Sequence, residues 1–475
     1  MKARYALIAL PLVMLTGCGL APGPSLAPSA EPPAIDVPDS WRSPAETIAP
    51  APADTVSDTW WTAFGDSTLD ALVAEALDAN QDLMIATARV DRARALARVA
   101  RSEGYPRIDV EGGYSKTRQS QSTGVVPLTA DPVSERWDAS ALGSFELDIF
   151  GRIRNEIAAA DQDLLTTAYA RDAVHLAVVS DVVSTYIDLA ALDRQAQVTR
   201  ETVESRRQVY ALIEERYNGG LVSRLDMERA RGERASAEAA LPEIERRRRE
   251  TENQLAILLG RMPGPILRGR PIDELAVPTV PADLPSSLLL RRPDIAAAEA
   301  QLAAAAARVG VARANLFPSI NLTGSYGSAS SDLADLFSGP ALIWNFGAGL
   351  LQPIFHAGRN RALVAASRAE QREAIAGYLQ TSQGAFRDVE DALFAVTSFH
   401  DRRMALQEQA EALREARTLA GDRYREGETG FLDVLDVERS RLVAELEYAG
   451  ARGDELNAAV ELYRALGGGF RRVPE

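Results

Sequence analysis

A chain of 475 residues with 46% hydrophobic side chains can bury a large core, but its single cysteine excludes an intramolecular disulfide and a cysteine-built metal cage. Its formal charge of −15, from 52 basic and 67 acidic residues, argues against nucleic acid as a partner, because that ligand selects basic faces. No pairing of nucleophile, base and pocket stands out, and His175, His356 and His400 form no metal-binding arrangement, so neither enzymatic activity nor a metal or cofactor site is expected.

Residues 1–17 have the build of an export signal. Lys2 and Arg4 precede an apolar run, 5–14, that is far below the ~20 residues needed to span a bilayer. The segment closes on Leu15-Thr16-Gly17-Cys18, which resembles the bacterial lipobox, so Cys18 is expected to carry lipid, palmitate included, and to become the new N-terminus. Removing Lys2 and Arg4 leaves 50 basic against 67 acidic residues, a charge near −17. Gly19, where inner-membrane retention would favour aspartate, points by resemblance to outer-membrane sorting. Residues 18–58 are rich in Pro, Ala and Ser, a composition that favours extended polyproline II and resists a packed core; they read as a tether.

Trp60, Trp61, Phe64, Leu69, Leu72 and Leu77 predict a short packed helix, and 82–103 a longer one that Pro106 stops. The period then changes to two. Ile108, Val110, Gly112 and Tyr114 alternate with polar residues in a strand at about 107–116, and Ala139, Ala141, Gly143, Phe145 and Leu147 do so in a second at about 137–147. From 152 to 217 there is no proline, allowing one helix of about 66 residues, roughly 100 Å at 1.5 Å per residue. It turns at Gly219-Gly220 and returns to about 260, with Pro242 expected to kink or interrupt the return.

Residues 271–469 then repeat 59–270. Asp82, Ala86, Arg101, Pro106, Ile108, Gly112 and Tyr114 recur as Asp294, Ala298, Arg313, Pro318, Ile320, Gly324 and Tyr326, at an offset of 294 − 82 = 212. Arg216, Tyr217, Leu225, Asp226 and Gly260 recur as Arg423, Tyr424, Leu432, Asp433 and Gly467, where 423 − 216 = 207. The second copy therefore offers strands at about 319–327 and 342–352 and a helical hairpin at about 357–467, before a short tail, 470–475. Heptad spacing marks Phe386, Val389, Leu393 and Val396, then Leu442, Leu446, Ala449, Leu456, Val460 and Tyr463.

No stretch after the signal reads as a membrane helix, so a membrane-spanning role would fall to the strands, each near the 9 to 11 residues a tilted strand needs to cross hydrocarbon. Alternation alone fits a small soluble four-stranded sheet equally well. Four strands cannot close a barrel; two chains would supply eight and three twelve, and the pattern does not choose. The run Arg246 to Arg249 reads as a solvated helix face in preference to a partner contact, and Gly467-Gly468-Gly469 as a helix ending.

The segments Leu289-Leu290-Arg291-Arg292-Pro293-Asp294-Ile295, Phe317-Pro318-Ser319-Ile320, Pro353-Ile354-Phe355 with Gly358-Arg359, and Tyr463-Arg464-Ala465-Leu466-Gly467-Gly468-Gly469 resemble those of outer membrane efflux proteins, the TolC-like outer membrane factors, and within them the lipoprotein branch of OprM and NodT. The resemblance implies a mainly α protein with a β-barrel portion: a homotrimer whose four strands per chain make a twelve-stranded barrel and whose periplasmic coiled-coil hairpins form an α-barrel. It further implies the outer-membrane duct of a tripartite efflux pump, of the resistance-nodulation-division type, with a periplasmic membrane-fusion adaptor and an inner-membrane pump as partners. Leu432, Asp433 and Asp436 match the family's periplasmic gate; Tyr424, Arg423 and Asp226 match positions that could lock it. Thr429 stands where some relatives carry a loop arginine, and Ser223 with Asp226 also fits a plain capping box. The other function classes compatible with the helices are a lipid-anchored scaffold without a pore and the exit duct of a type I secretion system. The transported substrate is not legible in the residues.

Overall fold

The computed structural model describes residues 26–42, 57–123, 131–279 and 288–470; Cys18, the signal segment, residues 43–56 of the expected tether and residues 471–475 lie outside the described residues. Contacts divide the chain into two compact units that cut across the sequence repeat. One gathers 93–164 and 301–375 with the start of the chain, the other 32–92, 165–300 and 376 onward.

The first unit is built on a four-stranded antiparallel sheet in the order β1 (Arg107–Arg118), β2 (Val133–Leu147), β3 (Ser319–Ser330), β4 (Leu342–Leu351). Its register carries one face across all four strands. Val110 stands beside Ala141, Ala141 beside Tyr326, and Tyr326 beside Trp344. Ile108, Gly143, Gly324 and Phe346 follow in the next rung, so this face is apolar, aromatic or small from edge to edge. The opposite face presents Asp109, Glu111, Ser140, Asp138, Thr323, Ser325 and Asn345. Within the chain the apolar face is bare: Val110 is 84% and Phe346 75% exposed. At one end of that face the Tyr114 and Trp137 rings lie 4.3 Å apart, and the next rung is the Lys116–Glu135 ion pair at 2.5 Å, so aromatics mark where the apolar band gives way to charge. β2 begins four residues before its predicted start because Val133 to Arg136, polar in character, pair with Ser115 to Arg118 of β1.

Helices follow in the predicted places. α1 (Ser67–Ala79) is preceded by a 3-10 turn over Trp60–Phe64, α2 spans Gln81–Ser102, and α3 runs unbroken over Arg152–Asn218. Asp148 starts α3 by accepting from the Ile153 and Arg154 amides at 3.1 and 2.8 Å. α4 (Arg224–Leu258) continues through Pro242, so of the expected kink or interruption the interruption does not occur; one ladder bond is lost, while Ala237 and Ile244 on either side are buried and hold the helix. After α5 (Leu288–Arg291) and α6 (Pro293–Ala314), α7 (Arg359–Glu426) and α8 (Phe431–Ala465) form the second hairpin. α3 and α6 each contain an 18-residue window apolar enough by composition for a membrane, against the sequence expectation, but half or more of each window is buried in the fold, as core helices require.

The helical unit has its main core around Trp60, Phe64, Val182, Tyr186, Leu255, Ile295, Val389, Leu456 and Tyr463, with Trp60 stacked on Tyr463 at 4.9 Å. The predicted heptads hold at Val389, Leu393, Ala449, Leu456, Val460 and Tyr463, whereas Leu442 and Leu446 sit half-exposed and Ala444 and Glu445 take the seam. Part of the expected tether is packed: Trp41 meets the Phe386 ring at 6.1 Å, and the Arg42 amide donates to Glu390 at 2.8 Å. Nearer the N-terminus the Leu26 carbonyl accepts from Arg313 at 2.7 Å.

The duplication is visible at atomic level where each hairpin closes on its repeat. Asn80 Nδ2 donates to the Leu258 carbonyl at 2.8 Å, and Arg292 Nη1 donates to the Ala465 carbonyl at 3.1 Å. These pairs are related by the two sequence offsets, 292 − 80 = 212 and 465 − 258 = 207. Arg292 additionally pairs with Asp294 at 2.7 Å and Asp388 at 3.3 Å, so the Arg-Pro-Asp motif is a bolt between α6, α7 and the end of α8.

A second knot joins the first repeat to its connector. Asp66, 2% exposed, accepts from Tyr186 Oη at 2.6 Å, the Arg270 amide at 2.9 Å and the Thr68 amide at 2.8 Å. Burial pushes its carboxyl up, but the Tyr186 hydroxyl and the backbone amides outweigh it and hold the pKa below the ordinary value. Asp66→Ala is therefore expected to cost about 3 kcal/mol, since it strands a buried hydroxyl and two amides. A depressed folded pKa contributes stability above the ordinary carboxylate value and loses it as pH falls through the folded one, so the variant should also lose acid-side slope in thermal melts followed by circular dichroism.

Candidate functional site: the hairpin tips

Each hairpin reverses at a glycine in the left-handed region, Gly220 in the first (φ +73°) and Gly427 in the second (φ +80°). The turns then differ. In the first, Ser223 Oγ accepts from the Asp226 amide at 3.2 Å and donates to Asp226 Oδ2 at 2.7 Å, closing a cap on α4. In the second, α8 starts at Gly430 with no side-chain cap, and the Thr429 hydroxyl is buried without a hydrogen-bond partner among the described residues.

The two tips are fused by a small core of their own. Ile213 and Ala230 from the first hairpin meet Phe431 and Leu435 from the second, with Val209, Tyr210, Met227 and Tyr424 around them. Phe431 and Leu435 are one turn apart, which turns that face of α8 onto the first hairpin. Leu432, Asp433 and Asp436 lie off this face and are exposed, Leu432 by 54%. An apolar side chain and two carboxylates are thus presented together, away from the fused core.

Of the three predicted locking residues, Tyr424 reaches the other hairpin: Arg216 Nη1 donates to its hydroxyl at 3.5 Å, with the guanidinium 5.8 Å from the ring centroid. Arg423 turns to Glu428 across its own turn at 3.3 Å, both exposed, and Asp226 is engaged with Ser223. The firmer tie was not foreseen. Glu233 of α4 is gripped by Arg206 of α3 and by Arg439 of α8, so one carboxylate joins three helices. Glu233 and Arg439 are 206 residues apart and carry no local signal, although Arg216 was visible as the repeat partner of Arg423.

Behind the tip the second hairpin has a charged seam. Buried Glu438, Glu445 and Glu455 on α8 take Arg417 at 2.7 Å, Arg414 at 3.1 Å and Arg403 at 3.1 Å from α7, and His400 adds to Glu455 at 2.8 Å. The carboxylates are buried while Arg414 and Arg417 stay partly exposed, so the pairs contribute little net stability, yet any slip of α8 against α7 would unpair all three, and they hold the register of the helix that carries Asp433 and Asp436.

Long helical hairpins together with a four-stranded sheet whose apolar face is bare are the parts of a channel-forming outer-membrane protein. The sequence matches the outer membrane efflux protein family twice, over residues 72–261 and 284–468, one match to each copy of the repeat. It is 35% identical over 463 residues to the cation efflux system protein CusC of Escherichia coli strain K12, covering 96% of this chain and 97% of that protein. To the probable outer membrane lipoprotein SilC of Salmonella typhimurium it is 33% identical, with 97% of each chain covered. The fold superposes with a TM-score of 0.85 on the open state of the MtrE outer membrane channel of Neisseria gonorrhoeae, at 32% identity, covering 94% of this chain and 99% of that one. The chain belongs to the outer membrane efflux protein family, and it is the outer-membrane channel component of an efflux system.

Proposed function

We propose that three copies of this chain form the duct of a tripartite pump of the resistance-nodulation-division type, anchored by lipid on Cys18 and engaging a periplasmic adaptor and an inner-membrane transporter. The observation that carries the trimer is the sheet: four strands with an unbroken apolar face, and outer edges on β1 and β4 that pair with no described residue of this chain. Three such sheets joined edge to edge give twelve strands with no open edge, which hydrocarbon demands. The full-length similarity to CusC and MtrE supports an export duct over a scaffold without a pore. Resemblance to the lipoprotein branch favours a drug or ion efflux pump over a type I secretion system.

In this arrangement Leu432, Asp433 and Asp436 form the gate. They project from the uncapped turn of the second hairpin, off its packed face, and a threefold axis would set their copies together as an apolar ring and two acidic rings. Acidic rings favour cations and repel one another. Replacing Asp433 and Asp436 together by alanine is expected to raise single-channel conductance in a planar bilayer and to lower cation selectivity. Unchanged conductance and selectivity would count against these residues as the gate.

A further inference from the structure

The connector that follows α4 walls off a cavity of about 560 Å³ against α3 and α4. Four arginines line it, Arg194, Arg248, Arg268 and Arg270, against two carboxylates, Asp193 and Glu252. The carboxylates are spent. Arg268 donates to Asp193 and to Glu252, each at 2.7 Å, and the Ile266 amide donates to the same Glu252 oxygen at 2.8 Å. Arg194 turns to Asp273 at 3.4 Å.

Donor capacity is left over. Arg248 belongs to the run expected to be a solvated helix face. Arg246 does lie in solvent between Glu243 and Glu250, but Arg248 turns inward, one terminal nitrogen 3.5 Å from Asp193. Its Nε is buried with no acceptor among the described residues. The Arg270 guanidinium pairs with no described residue, although its backbone amide is committed to Asp66. Ala190 and Pro265 supply the accessible apolar wall, backed by the fully buried Leu189 and Ile272. Buried donors are almost always satisfied, and planar guanidinium groups match the oxygens of phosphate and carboxylate. A cation would meet only occupied carboxylates, and a neutral ligand would leave the arginine excess unanswered.

We propose that this cavity binds a small organic anion, its acidic group held by Arg248 and Arg270 and its apolar body set against Ala190 and Pro265. The volume suits a ligand of one or two rings.

The test uses the full chain in non-ionic detergent, titrated calorimetrically with 1-naphthyl phosphate, inorganic phosphate and 2-naphthol in parallel. Naphthyl phosphate should bind saturably, one per chain, about tenfold or more tighter than either fragment, because the site reads both the charge and the ring. Arg248→Gln and Arg270→Gln should each weaken it about tenfold, with melting temperature and channel conductance unchanged. Bound naphthyl phosphate should also slow phenylglyoxal modification of Arg248 and Arg270, mapped by mass spectrometry. If Arg248→Gln does not fold, the exposed Arg270 decides the matter alone. Naphthyl phosphate that only partitions as naphthol does, or binding that survives the arginine substitutions, would overturn the proposal.

Discussion

Gly467→Ala is expected to yield little folded protein. The residue has φ +91°, and a Cβ there would lie 1.9 Å from the Arg291 carbonyl oxygen, a backbone atom that cannot turn aside. Left-handed backbone costs a side chain about 1–3 kcal/mol and forced overpacking about 1–3 more, so roughly 2–6 kcal/mol is at stake. That is a large share of the stability of most proteins. Gly427→Ala separates the two terms: φ is +80°, but nothing lies within 4 Å of the added methyl. It should lose only the backbone term. Urea unfolding of the two variants in the same detergent measures the difference directly. Equal losses would show that the Arg291 carbonyl gives way and that the closure of the second hairpin is softer than its geometry states.

Ala141→Arg is the second large effect. In register Ala141 stands between Val110 and Tyr326, near the middle of the apolar face. Arginine on the lipid face of a barrel costs about 2–4 kcal/mol at the midplane, and the edge-to-edge assembly of three chains would meet that penalty three times. Ser140→Arg is the matched control. One residue away, it points to the polar face, opposite Glu111, and its cost should be small. The readout is the yield of heat-modifiable, detergent-resistant trimer in the outer membrane: nearly abolished for Ala141→Arg and close to normal for Ser140→Arg. Comparable yields would mean that the apolar face does not meet lipid.

Much of this architecture was legible before any coordinates. Alternation located all four strands, because a one-residue slip would invert every side chain and the pattern therefore cannot drift. The absence of proline between 152 and 217 gave α3 to within one residue of its end. Three features were misread for physical reasons. Pro242 does not interrupt α4, one of the two outcomes expected of it, because one lost hydrogen bond cannot end a helix whose flanking residues are packed. Leu442 and Leu446 were given seam positions of α8 that Ala444 and Glu445 occupy, because the arginine partner that lets a glutamate be buried there is on another helix. Residues 26–42 read as a loose tether because polyproline composition says nothing about a single tryptophan finding a ring to meet. At the tips, Leu432, Asp433 and Asp436 were identified by resemblance and lie together off the packed face of α8. The core that places them, Ile213 with Phe431, and the clasp at Glu233 needed the fold, as both join residues more than 200 positions apart.

The two offsets of the repeat have a further consequence. Arg152 and Arg359, which open α3 and α7, already differ by 207, so the five residues missing from the second copy are lost before the helices begin. The hairpins themselves are matched, 67 and 68 residues outward and 35 each on return. Each residue added to one hairpin alone would push its end about 1.5 Å past its neighbour. Insertions and deletions have thus been admitted where strands meet solvent and refused in the helices. A library of single-residue length variants should divide the same way: tolerated at 119–132 and 331–341, rejected in the hairpins unless both copies change together.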